Sequence, residues 1–237
     1  MMTDLFGVTE AWRTACPGAA AGVLAMRDVA NPATHPALER WIAEREVALR
    51  ARFAGTDRAA LRALPRLQAY AAYYKRWGKT YHVQLQLESV ALKGKPITRA
   101  SALVSAMVAS ELEHLLLTAG HDLDAVAPPV TLTVAAGAER YQLLGGQEQA
   151  LQAGDMTMAD GRGTISSVLY GPDERTRFRP ETRRVLFAVY APPGIGGQAV
   201  AAHLEGLAAA VRLVCPDAAI EALEVHEASQ PGRSANP

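Results

Sequence analysis

Apolar residues recur along this chain with two different periods, and the switches between them mark out its elements. AGVLAMRDV, residues 21 to 29, has the β-type residues and length of a central strand and stops at Asn31-Pro32. In THPALERWIAEREVALRARFAG, Leu38, Trp41, Ile42, Leu49 and Phe53 fall at helical spacings, Pro36 suits a first turn and Gly55 is placed to end the helix, while Arg45 interrupts the stripe. A shorter helical segment is predicted around 58 to 77, ending in YYKRWGK. HVQLQLESV, residues 82 to 90, alternates apolar and polar side chains, the period of a half-buried strand or of one helix edge. Ala100, Leu103, Val104, Met107, Val108 and Leu115 make one helical face, which Gly120 is placed to terminate in a left-handed conformation.

Strand signals then follow in succession: VTLTV (130 to 134), YQLL and QEQAL about a two-glycine turn, MTMA and RGTISSVLY about Asp160-Gly161, and RRVLFAVYA from 183 to 191. A last helix is predicted from about Gln198 to Leu213 on Val200, Leu204, Leu207 and Val211, before Cys215-Pro216 breaks it. The tail EASQPGRSANP, 227 to 237, is polar and expected to be disordered. The pattern predicts one α+β domain over residues 1 to 226, with a mostly antiparallel or mixed sheet flanked by helices.

Composition narrows the function. The 237 residues are 49% hydrophobic, enough for one substantial core, and 24 basic residues balance 24 acidic ones. A neutral chain does not grip nucleic acid through its overall field, so any RNA contact has to be local. Cys16 and Cys215 are in no CxxC spacing and are read as reduced thiols, with no metal site and no cofactor expected. No basic-then-apolar leader is present at the N-terminus and no stretch reaches the roughly 18 apolar residues of a membrane span, so a cytoplasmic protein without a membrane partner is expected.

The chemistry-bearing candidates are few. PPGIGG, 192 to 197, precedes a helix and could offer backbone N–H groups to an anion, or be a plain connection. Glu111 interrupts an apolar helical face one turn before His114; it either faces a pocket or caps or pairs with a neighbouring arginine, and His114 is read as a surface residue. His121 and Asp122, placed just past a helix end, could act as a base toward water and its orienting carboxylate, or simply close the helix and the turn. In TISSVLYG, strand alternation sends Ser166 to one side and Ser167 to the other. Small hydroxyl residues let a ligand approach a strand closely; the alternative is that neighbouring strands satisfy them.

The order YKRWGK (74 to 79), LKGKPI (92 to 97), the helix leading to HDLDAV, and then the phrase G-x-x-x-x-L-x-x-G-D-x-x-x-A-D running into TISSVLYG and VLFAVYAPPGI resembles the B3/B4 editing domain of the bacterial phenylalanyl-tRNA synthetase β subunit, over about residues 70 to 195. Cys16-Pro17-Gly18 before a strand resembles stand-alone relatives of that domain. The resemblance implies a module that binds the aminoacyl end of tRNA and hydrolyses the ester of a mischarged amino acid, using a positioned water and the tRNA ribose hydroxyl rather than a protein nucleophile. It places Ser166 and Ser167 against the substrate, puts Ala188 where the family has the glutamate that recognises the tyrosine hydroxyl, sets the family's polar helix residues near Val104 and Ser105, and brings its loop histidine near His121. Glu111, His121 and Asp122 are then the candidate catalytic groups, and Lys75, Arg76, Lys79, Lys93 and Lys95 the local RNA contacts. The partners implied are tRNA or aminoacyl-tRNA and a small amino-acid-like ligand, with no DNA. The alternatives are a non-catalytic amino-acid or small-molecule binding module, and an interaction protein whose pocket is closed by side chains.

Overall fold

In a computed structural model the described residues are 5 to 229. The first strand and helix are short: β1 (Phe6–Val8) leads through Thr9, whose hydroxyl accepts from Trp12 N at 3.2 Å, into α1 (Glu10–Ala15). Then come β2 (Ala20–Arg27) and α2 (Pro36–Arg52), which starts on Pro36 as its sequence requires. The 58-to-77 segment divides at Leu64-Pro65 into α3 (Arg58–Arg62), capped by Asp57, and α4 (Pro65–Lys75). HVQLQLESV is helical, α5 (His82–Leu87) continuing into a π-helical turn at Glu88–Leu92.

The next helix, α6 (Ala102–His114), corrects one expectation. It ends not at Gly120 but at Leu115, a non-glycine residue held at φ 58°. Leu115, Leu116 and Leu117 are all buried, and three leucines in a row packing inward hold this sharp exit where a glycine would only permit it. Gly120 therefore lies inside a strand, β3 (Thr118–Asp122).

The remaining strands are β4 (Val130–Val134), β5 (Arg140–Gln142), β6 (Glu148–Ala150), β7 (Met156–Asp160), β8 (Gly163–Ser167), β9 (Gly171–Pro172) and β10 (Arg184–Ala191). After them come α7 (Gly197–Arg212) and a strand that the sequence pattern did not predict, β11 (Ala219–Glu227). Two sheets result, in the orders β1-β4-β7-β8-β9 and β11-β2-β10-β3, with a small β5-β6 hairpin beside them. All pairings are antiparallel except β1 with β4. The fold is thus α+β with mixed sheets flanked by helices, and one continuous apolar core runs from Trp12 through β2 and β10 to α7.

Two further expectations change. β8 ends at Ser167, so Val168, Leu169 and Tyr170 form a turn rather than more strand. The tail begins later than expected: Glu227 ends β11, and buried Ala228 pairs with Gly18 and Ala19 through two backbone bonds of 2.9 Å. The rest of the predicted tail, from 230, lies outside the described residues.

Residues 173 to 183 form a strap along the free edge of β3. Asp122 N donates to Thr176 O at 2.7 Å, Thr182 Oγ1 donates to Asp122 Oδ2 at 2.8 Å, and Asn31 Nδ2 donates to Arg179 O at 3.0 Å. Phe178 crosses over Gly120 to reach Phe187, ring centroids 5.7 Å apart.

Candidate functional site

Three tyrosines at i, i+3 and i+4 of α4 turn one helix face into a row of inward hydroxyls. Tyr70 OH donates to Tyr190 O (2.6 Å), Tyr73 OH to Asp155 Oδ1 (2.7 Å) and Tyr74 OH to Val168 O (2.6 Å), which bolts the helix across the end of β10, the start of β7 and the turn after β8. The paired serines meet this row. Ser167 Oγ donates to Asp155 Oδ2, and Ser166 Oγ shares a hydrogen bond with Tyr190 OH. Burial raises the Asp155 carboxyl to about 6, against the lowering effect of the bonds from Ser167, Tyr73 and Leu169 N and of the Arg76 charge.

Ser166, Ser167 and Ala188 were expected to line a substrate pocket, and in this conformation all three are buried. Their exposures are 0%, 2% and 0%. Four hollows, of about 550, 270, 310 and 260 Å³, have none of the three in their walls. β8 and β10 do come together across the two sheets, but side chains fill the junction. Asp155 and Tyr190, which close it, lie 12 and 24 positions from the serines they bond, and Tyr73 reaches Asp155 from 82 positions away.

Glu111 faces inward without an arginine partner among the described residues: its Oε1 accepts from Thr118 N at 2.7 Å, tying the end of α6 to the start of β3. Burial raises its carboxyl from the ordinary 4.5 to about 8, against a lowering by the Thr118 bond. An acid with a raised folded pKa stays protonated in the fold while the unfolded chain ionises, so its contribution to stability falls as pH climbs from 4.5 to about 8 and is level beyond. Above about pH 6.5 the buried histidines no longer oppose this trend. Between there and pH 8 the wild type should therefore lose up to about 1.4 kcal/mol per pH unit from this group, and Glu111→Gln, which keeps the acceptor, should remove that slope. Urea unfolding of both proteins across this window reads the difference; parallel pH profiles would refute it.

His121 and Asp122 are in β3, not in a loop, and alternation sends them to opposite faces. Asp122 bonds Thr182 and Asp124 N rather than His121. His121 Nδ1 lies 2.7 Å from Thr176 Oγ1, whose own hydrogen goes to Asp173, so Nδ1 is the donor and Nε2 is left buried without a partner. Burial, with Arg175 adding to it, lowers this imidazole to about 3. It is neutral and out of contact with water in this conformation. Ser105 Oγ accepts from Ala100 N at 3.0 Å and is a local tie at the start of α6. His114, expected at the surface, is half-buried with Nδ1 2.9 Å from His203 Nδ1.

The basic candidates divide into two groups. Lys79 Nζ sits 4.5 Å above the ring of Tyr170, in the turn after the serines, and the Arg76 guanidinium lies 4.5 Å over Trp77. Lys75, Arg76 and Lys79 are exposed while Trp77 and Tyr170 are half-buried, and of the cations Lys79 is the one set against the serine turn. Lys93 and Lys95 belong instead to the segment after the π-helical turn, beside other hollows. At PPGIGG the chain supplies its own anion: Gly197 N donates to the Glu227 carboxylate, from the strand that the sequence pattern missed. Among the described residues no group of three or more His, Cys, Asp or Glu is arranged to hold a metal ion, and no helix is long and apolar enough to cross a membrane.

No family model matches the chain, and no curated protein does. Among solved structures it is similar to an N-terminal fragment of the phenylalanyl-tRNA synthetase β subunit from Pyrococcus horikoshii, with a TM-score of 0.46 and 11% identity over 93% of this chain and 49% of that one. The likeness is weak and at the level of fold, and the chain spans about half the length of that fragment.

Proposed function

We propose that this chain is an editing-type module that takes the aminoacyl end of a tRNA in trans and hydrolyses the ester of a mischarged amino acid. The observation that carries this reading is the stacking of Lys79 on Tyr170, in the turn that follows Ser166 and Ser167, next along the chain to Arg76 over Trp77. Cations alternating with aromatic faces suit a single-stranded end, whose phosphates need charge and whose bases need stacking surfaces. An aminoacyl group arriving there reaches the serines only if Ser167 leaves Asp155 and Ser166 leaves Tyr190, so substrate binding and opening of the junction are one event. The attacking water would then be oriented by the tRNA ribose hydroxyl and by backbone amides of the opened turn.

A second reading, a binding module without hydrolysis, is favoured by the apolar Ala188 in β10, and the internal pairing of both serines favours the third, an interaction protein without a ligand. A panel of correct and mischarged aminoacyl-tRNAs separates the first two. The first reading expects ester loss for at least one mischarged species and retarded tRNA mobility at low salt. Arg76→Ala with Lys79→Ala should weaken tRNA binding about ten-fold and flatten its salt dependence. No ester loss together with unchanged tRNA mobility removes the first reading, and retained amino-acid binding then selects the second.

A further inference from the structure

Charge is unevenly shared along this neutral chain. Residues 51 to 100 hold ten of its 24 basic residues and two of its 24 acidic ones, which leaves the remainder acidic by the same margin. Segregation of that size builds a local positive field on a protein whose overall charge is nil, and a local field is what a polyanion needs.

The fold gathers four of these cations into one row. Arg58 and Arg62 lie one turn apart on α3, and both reach Glu88 in the π-helical turn, Nε to carboxylate oxygen, at 2.8 and 3.6 Å. A hollow of about 310 Å³ beside Glu88 has Arg58 and Lys93 in its wall, and a second of about 260 Å³ beside Gln84 has Arg62 and Lys79. Gln84 donates to Glu88 at 2.9 Å, so the two hollows are neighbours. Cations rather than carboxylates meet solvent here. The arginine side chains are 56% and 49% exposed and Lys79 and Lys93 are exposed, whereas the Glu88 side chain is 6% exposed. Asp57, the other acid of the region, is turned to Ala60 N as the cap of α3.

Lys79 is also the residue stacked on Tyr170, so the row starts at the serine turn and leads away from it. Tyr81, the aromatic residue in these walls, is 1% exposed and offers no ring to a base. An RNA lying along the row is therefore held by its phosphates alone, which suits a duplex with its bases already stacked. Leu85 is the large apolar side chain exposed beside the row, too little to anchor the surface in lipid.

We propose that Lys79, Arg62, Arg58 and Lys93 form a docking track for the duplex stem of the RNA whose single-stranded 3′ end meets Tyr170. The choice of RNA rests on the editing reading, and the track rests on charge and geometry.

The probes are three unacylated RNAs: a hairpin whose 3′ end runs on as a single strand, the same hairpin cut blunt, and the single strand alone. Binding to the full chain is followed by fluorescence anisotropy between about 50 and 200 mM salt. The wild type should bind both hairpins. Arg58→Gln with Lys93→Gln should weaken both about ten-fold, lower the slope of log K against log salt by about 2 and leave the single strand unaffected. Because Arg58→Gln loosens the hold on buried Glu88, Lys93→Gln alone is the variant that keeps that pairing, with a slope change of about 1. Glu88→Gln should tighten hairpin binding about three-fold, since it removes the carboxylate that competes with phosphate for both arginines. A merely structural glutamate would give no tightening; thermal melts confirm that the variants fold. No binding of the blunt hairpin, an unchanged slope in Lys93→Gln, no gain in folded Glu88→Gln, or an equal loss of the single strand overturns the proposal. So does tighter binding to vesicles of mixed phosphatidylcholine and phosphatidylserine that the same variants abolish. None of the probes carries an ester, so failure of the editing reading in the aminoacyl-tRNA panel and failure of the track are separate results.

Discussion

Replacing Asp155 by alanine is expected to cost about 3–5 kcal/mol of stability, the largest effect of any single polar substitution near the serine turn. The carboxylate is fully buried and receives three donors: Ser167 Oγ, Tyr73 OH and, at 3.4 Å, Leu169 N. Truncation leaves all three facing a void, and each stranded buried donor carries about 1–3 kcal/mol of uncompensated desolvation, reduced by whatever water enters. Asp155→Asn keeps an oxygen but turns an N–H toward a donor, so it should fall between wild type and alanine. Urea midpoints at constant m-value give the ranking. If the alanine variant lost less than about 1 kcal/mol, the carboxylate would not be what holds the closed junction, and the argument that substrate must displace Ser167 from it would fail with it.

Gly120→Val should destabilise the protein by about 3 kcal/mol through one contact. A Cβ at Gly120 would lie 2.4 and 2.5 Å from Cζ and Cε2 of Phe178, distances that real side chains do not tolerate, and a tight 3.2 Å from Met107 Sδ. The ring must leave, and with it goes the edge-to-face contact with Phe187. The strap behind Phe178 is bonded to Asn31 and, through Thr176 and Thr182, to Asp122, so it resists moving as a whole. Adding Phe178→Ala to the glycine variant should therefore recover most of the difference from Phe178→Ala alone, a coupling of about 2 kcal/mol in a double-mutant cycle. Independent, additive losses would show that the ring does not fill the space glycine leaves.

The sequence made some elements legible and hid others for identifiable reasons. α2, β4 and α7 carry an apolar period, β2 and β10 are continuous apolar runs buried on both faces, and these elements and the β7–β8 turn stand where the pattern puts them. β11 escaped because its residues are half-buried along most of their length, so IEALEVHE shows no sharp alternation. The end of α6 escaped because Leu115 occupies a backbone conformation in which the eye looks for glycine. At the candidate site the limit was of another kind. That a serine in a strand interior must bond something is a local inference, but its partners, Tyr190 and Asp155, lie 24 and 12 positions away and are chosen by topology. The same holds for His121: its position in the sequence admitted a loop base, whereas the neighbour that fixes its tautomer is Thr176, 55 residues on. The Lys93–Lys95 pair was visible as charge, but its separation from Lys75–Lys79 appeared only with the fold.

The place of β2 within its sheet has a consequence for how the protein is made. Its two neighbours are β10 and β11, and no strand nearer in sequence pairs with it. At the roughly 5–20 residues per second of translation, AAGVLAMR emerges from the ribosome about 8 to 30 seconds before either partner exists. Through that interval an almost uncharged strand has both hydrogen-bonding edges vacant, which makes this segment the natural client for a chaperone and the weakest point of the nascent chain against aggregation.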